Sequence, residues 1–157
     1  MSERTAHVCE DNQTLDEAPP RNFAICCDML GCDRLDHGYN ILADEGMTAR
    51  ARDDGIFFNT CTVTSVRANL ARRQASIARM LEIGLRVTVN TDDPRMFKTD
   101  IGHSYRALFE THGWGVAEAR RLSLAGVEAS WLDDTDRRRL TQEFAREIDA
   151  LESELQQ

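Results

Sequence analysis

The strongest constraint on this chain is a fourfold alternation of strand-like and helix-like segments, in which each strand ends on a polar residue. The stretches "RTAHVCE" (4–10), "RLDHGYN" (34–40), "IFFNTC" (56–61) and "LRVTVN" (85–90) read as strands. The first helix opens at Pro19-Pro20, carries Phe23, Cys26, Cys27 and Leu30 on one face and ends at Gly31. A weaker helix covers roughly 43–54, with Gly55 as its stop. A loop of about a dozen residues then leads to a helix marked by Ile77, Met80 and Leu81 and closed by Gly84. The strand-terminal polar residues are His7, His37, Cys61 and Asp92, separated by 30, 24 and 31 residues. That is about the length of a βα unit. Such units build parallel sheets, either open and doubly wound or closed into a barrel. In both, chemistry gathers at the carboxyl ends of the strands.

Beyond the fourth strand the pattern turns helical. Ile101, Tyr105, Leu108 and Phe109 mark one helix, and residues from Val116 to Leu132 form one or two more. From about Thr135, Leu140, Phe144, Ile148, Leu151 and Leu155 recur at spacings of three and four, an amphipathic helix with Asp133 or Asp134 as its cap. No low-complexity linker interrupts the chain, so residues 1–157 are expected to form one domain with a helical C-terminal segment, 101–157.

A net charge of −8 excludes nucleic acid as the main partner, because phosphate binding needs clustered Lys and Arg. The basic run Arg137-Arg138-Arg139 is balanced by Asp133, Asp134 and Asp136. No stretch approaches the ~18 apolar residues of a membrane span. "MSERTAHVCED" has no apolar signal region. Five cysteines, an odd number without a C-x-x-C pair, fit a reducing cytoplasm better than a disulfide scaffold. Cys26 and Cys27 read as small core residues. No G-x-G-x-x-G or Walker-type loop opens any helix, so nucleotide phosphate binding is not expected.

The stretch "VTVNTDDP" (87–94) ends a buried-looking strand on two adjacent carboxylates, Asp92 and Asp93, which repel each other. A divalent cation resolves the conflict: one carboxylate binds it and the other takes a proton or substrate. If the strands are parallel neighbours, His7 with Glu10, His37 and the Asp92-Asp93 pair converge. Imidazole and carboxylate are ordinary zinc ligands. Zinc lowers the pKa of bound water toward ~7, and a nearby Glu and His move protons. Each residue alone also has a structural reading. Asp-Asp-Pro is common turn chemistry, a single His often serves only as a hydrogen-bonding group, and Glu10 fits a solvated loop. Their joint placement at successive strand ends weighs toward a metal hydrolase. His103 and His112 are assigned to the surface of a helix.

From His7 to about Leu132 the sequence resembles the adenosine deaminase family, the purine-deaminating branch of the zinc amidohydrolases. "HVCE" (7–10) is similar to the family's H-A-G-E, and "RLDHG" (34–38) to its R-I-G-H-G or R-I-D-H-G. "VTVNTDDPRMF" (87–97) is close to V-T-V-N-T-D-D-P-x-M-F, and "GVEASWL" (126–132) resembles the helix that follows. The resemblance implies an α/β fold, the C-terminal half of a (β/α)8 TIM-type barrel, with strands five to eight and the C-terminal helices. It implies His7 and Asp92 as ligands of one Zn2+ per complete site. It makes Glu10 the proton donor to purine N1, and His37 the acceptor of the proton from zinc-bound water. Asp92 would also orient that water, and Asp93 would hydrogen-bond a ring nitrogen. The reaction implied is hydrolytic deamination of an adenine-containing purine to an inosine-like product. Adenosine is the first substrate expected, with adenine and aminodeoxyfutalosine as alternatives. The H-x-E with P-C-x-x-C signature of the cytidine-type deaminases is absent.

The departures are specific. Cys9 replaces the glycine of H-A-G-E, and "CTVTS" (61–65) replaces C-P-x-S-N. The family's first strand supplies an H-x-H pair of zinc ligands, and this sequence has no H-x-H. A closed barrel takes ~250 residues. Half of one is expected to leave two unpaired edges and an uncovered apolar face. Weak metal affinity and little turnover are therefore expected of the chain by itself, with a missing N-terminal half or a second copy as partner. The contrasting reading is a non-catalytic truncated module that associates through its exposed edges.

Overall fold

The computed structural model describes residues 3–11, 14–63 and 69–155. Strands β1 (Thr5–Val8), β2 (Arg34–His37), β3 (Phe57–Cys61) and β4 (Arg86–Asn90) form a parallel sheet in the order β1-β2-β3-β4. Each lies inside the segment predicted for it, trimmed at its ends.

The first connection departs from the predicted continuous helix. A short α1 (Asn22–Ala24) runs into one π-helical turn, Ile25–Met29. The wider turn buries Phe23 and Cys26 and leaves Leu30 half exposed. The second predicted helix is present and begins after Asp44. A 3₁₀ turn, Tyr39–Ala43, precedes α2 (Glu45–Asp53), and the Asp44 side chain caps α2 by accepting from Met47 N at 3.0 Å. Asn69 caps α3 (Leu70–Glu82) in the same way through Arg72 N. After β4 come α4 (Pro94–Phe97), α5 (Ile101–His112), α6 (Val116–Glu128) and α7 (Asp134–Leu155). Asp133 is the cap of α7, accepting from Thr135 N at 2.8 Å and Asp136 N at 2.9 Å. The predicted apolar stripe of α7 is present, but no α7 residue is buried: the helix packs on α6 and leaves Leu151 and Leu155 exposed.

The register gives the sheet two chemically different faces. Ala6, Leu35, Phe58 and Val87 lie side by side across it, and the last three are buried. They join Phe23, Ile77, Met80, Leu108 and Leu122 in the core beneath the helices. One residue along, with side chains on the opposite face, the row reads His7, Asp36, Asn59 and Thr88. The expected apolar face is therefore polar. Thr5 Oγ1 donates to Asp36 at 3.0 Å, and Asn59 Nδ2 donates to the other Asp36 oxygen at 2.7 Å. Thr88 Oγ1 donates to Asn59 at 2.9 Å, and Asn90 Nδ2 donates to Thr88 at 2.8 Å. These bonds cross all four strands. Alternation at period two, "LDH", "FNTC" and "VTVN", is what produces a face that tolerates water.

Candidate active site

The carboxyl ends of the strands carry unusual backbone. Cys9 (φ 50°), His37 (φ 69°) and Asp92 (φ 56°) are left-handed, though none is glycine. Such residues cost about 1–3 kcal/mol each and cluster where a side chain must be aimed against local preference. Gly38 follows His37 with φ 79°, and a Cβ there would collide with the Phe58 ring. This turn brings the His37 imidazole over the end of β1.

His7, Glu10 and His37 meet there. His37 is 1% exposed, and its Nε2 is 3.0 Å from His7 Nδ1 and 3.8 Å from Glu10 Oε2. One ligand atom from each of the three lies within 4.8 Å of the others. Burial, the largest influence, holds the His37 pKa below the usual imidazole value, against the opposing pull of Glu10. The His37 Nδ1 is buried with no partner among the described residues. Asp92 is outside this tight group, but it lines the same cleft of about 410 Å³ with His7, Asp36, His37 and Asn59. Burial also pushes the Cys61 thiol at the back of the cleft up to about 12, so it stays protonated at neutral pH.

Asp93 does not line the cleft. It is exposed, at the start of α4, where Pro94 occupies the first turn. Thr64 and Ser65 of the "CTVTS" stretch lie outside the described residues. His103 is exposed as predicted, but His112 is half-buried. It stacks on Trp114 at 5.0 Å, with Nε2 3.1 Å from Gln74 O, because Gly113 turns the chain back over α3 at the end of α5.

Sequence reasoning missed a buried arm behind Glu10. Arg73, from α3, is 0% exposed and bonds Glu10 Oε1 at 3.0 Å and Asp11 Oδ1 at 2.9 Å. Its guanidinium lies 4.7 Å over the Tyr39 ring. Tyr39 O–H donates to Cys61 O at 3.1 Å and accepts from Cys61 N at 2.8 Å. The signal was available: Arg73 shares the helical face of Ile77, Met80 and Leu81, where a solvated arginine does not belong.

A family model described as adenosine deaminase matches residues 6–147. The chain belongs to the adenosine deaminase family. One curated family relative, "Adenine deaminase" of Ectopseudomonas mendocina, is 34% identical over 116 residues, covering 73% of this chain and 37% of the relative. Among solved structures, an amidohydrolase from Burkholderia ambifaria with bound zinc superposes with a TM-score of 0.83 at 29% identity, covering 98% of this chain and 42% of that one. The adenine deaminase of Arthrobacter aurescens gives 0.82 at 25% identity, covering 94% and 44%. The four parallel strands and their helices thus match part of an amidohydrolase barrel of this family, and the chain spans about two fifths of the length of these relatives. No helix among the described residues is long and apolar enough to cross a membrane.

Proposed function

We propose that this chain carries the proton-transfer and part of the metal-binding machinery of a zinc-dependent adenine-type deaminase. The reading rests on one observation: His7, Glu10 and His37 meet within 4.8 Å at the strand ends of a segment that belongs to the adenosine deaminase family. The donor set fits a divalent zinc ion. His7 would offer one imidazole nitrogen to the cation, and the His37 ring, 3.0 Å from His7 Nδ1, holds the His7 ring in place. Asp92, beyond the end of β4, would add a carboxylate from the same cleft. When bound, zinc would lower the pKa of a water toward ~7 and supply a nucleophile at neutral pH.

The chain's own residues do the rest. His37, kept neutral by burial, accepts the proton from the water. Glu10, whose Oε2 lies 3.8 Å from His37 Nε2 at the cleft wall, gives a proton to ring N1, which makes C6 of the purine electrophilic. Asp92 helps hold the cation and orients the water, and Asp93 hydrogen-bonds a ring nitrogen. Water adds to C6, the proton held by His37 passes to the departing amine, the C6 hydroxyl proton returns to Glu10, and ammonia leaves. The names of the relatives move the first substrate from adenosine to adenine. A complete site requires the H-x-H ligands, which this chain lacks and an N-terminal half would supply. Residues 1–157 acting as one unit and a cytoplasmic setting belong to the same proposal; the five free thiols support the setting.

The test is ammonia release from adenine and adenosine with zinc present. The chain alone is expected to show little turnover. The chain joined to the N-terminal segment of the Ectopseudomonas mendocina relative is expected to deaminate adenine faster than adenosine. Glu10→Gln in the joined protein should cost about 10²–10⁴ in rate. Rapid turnover by the chain alone, or an inert but folded joined protein, would overturn the proposal.

A further inference from the structure

Glu10 is held from two directions. Oε1 is bonded to Arg73 at 3.0 Å, and Oε2 faces His37 Nε2 at 3.8 Å. Arg73 is itself fixed by Asp11, whose side chain is 1% exposed, and by the Tyr39 ring, which the Cys61 backbone anchors on both sides of its hydroxyl. This arm reaches Glu10 from α3, on the helix-covered side of the sheet. Yet the ligand atoms of His7, Glu10 and His37 are close enough for one cation to gather all three. A carboxylate drawn onto zinc would no longer carry a proton to the substrate.

We propose that Arg73 is a positioning residue that keeps Glu10 off the metal. It pins one oxygen and leaves the other facing His37, so the carboxyl stays available for proton transfer. This rests on the metal site proposed above. It goes beyond that site in assigning a role to a buried cation on a helix outside it. Without Arg73, Glu10 is free to complete a three-ligand set, and the repulsion between the guanidinium and the cation also disappears. Both effects tighten zinc binding, but only the first depends on Glu10.

The test is a zinc titration of the full chain against a chromophoric chelator, with circular dichroism to check folding. Arg73→Gln is expected to bind zinc about tenfold tighter than the unmutated chain, the scale on which groups behind metal ligands act. Glu10→Gln alone should change affinity by less than about twofold, and the Arg73→Gln gain should shrink to about threefold or less in the double variant, because the two side chains are coupled. If the unmutated chain binds no zinc, its appearance in Arg73→Gln supports the proposal. If Arg73→Gln fails to fold, Glu10→Gln decides. Unchanged affinity in folded Arg73→Gln, an undiminished gain of about tenfold in the double variant, or loss of zinc in Glu10→Gln would overturn it. That last result would leave a metal-dependent site standing, with Glu10 as a ligand, and so separates this failure from failure of the proposed function.

Discussion

The two faces of the sheet are built from alternate residues of the same four strands, and they do opposite jobs. The helix-covered face is closed and apolar, with Leu35, Phe58 and Val87 packed beneath the helices. The other face is open, and hydrogen bonds from Thr5 through Asp36, Asn59 and Thr88 to Asn90 hold it together. Stability resides on the first face and chemistry on the second. The strand ends join the two: there the backbone turns left-handed at Cys9, His37 and Asp92, and His37 and Asp92 line the cleft.

The largest break in this comparison comes from the apolar face. Phe58→Ala removes a wholly buried ring stacked near Phe23 at 6.4 Å, and is expected to cost about 3–5 kcal/mol in denaturant unfolding. Asn59→Ala, the next residue but on the polar face, leaves Asp36 and Thr88 each short of a partner and should cost about 1–3 kcal/mol in the same measurement. If Asn59→Ala costs as much as Phe58→Ala, the division of labour is wrong.

A pH profile sharpens the comparison at the junction. Unfolded, His37 titrates near the usual 6.5; folded, burial lowers its pKa. Between the two values the unfolded chain takes up the proton and the folded chain resists it. The His37 contribution to stability is therefore complete above about pH 6.5 and is lost as pH falls through the lower folded value. Thermal unfolding of the metal-free chain should show melting temperature falling from pH 7.5 to 5.5, with a shallower fall in His37→Gln. Equal slopes would show that His37 is not held neutral. The smallest effect belongs to Asp93, exposed beyond the cleft: Asp93→Asn should change stability by less than about 0.5 kcal/mol, so a loss of adenine affinity in the joined protein would be read as a binding effect alone.

Much of this was legible in the sequence, for physical reasons. Period-two strands broken by helix caps and glycines specify a parallel βα architecture, and the spacing of His7, His37 and Asp92 follows from the length of a βα unit. The long apolar stripe of α7 was also legible, but its exposure was not, because periodicity reports a face without reporting what covers it. The polar lining was hidden for a similar reason: alternation identifies two faces, whereas the hydrogen bonds of Asp36 and Asn59 depend on register between strands distant in sequence. The burial of Arg73 was legible from its helical face, but its role was not, because its partners Glu10 and Asp11 lie 63 and 62 residues away.

The central proposal is that His7 and Asp92, which line one cleft, share a cation. Anomalous diffraction at the zinc absorption edge from crystals of this chain soaked in zinc tests it most directly. The account predicts a single strong peak in the cleft lined by His7 and Asp92, absent in His7→Ala. A peak held by the cysteines or the surface carboxylates, with none in the cleft, would contradict it.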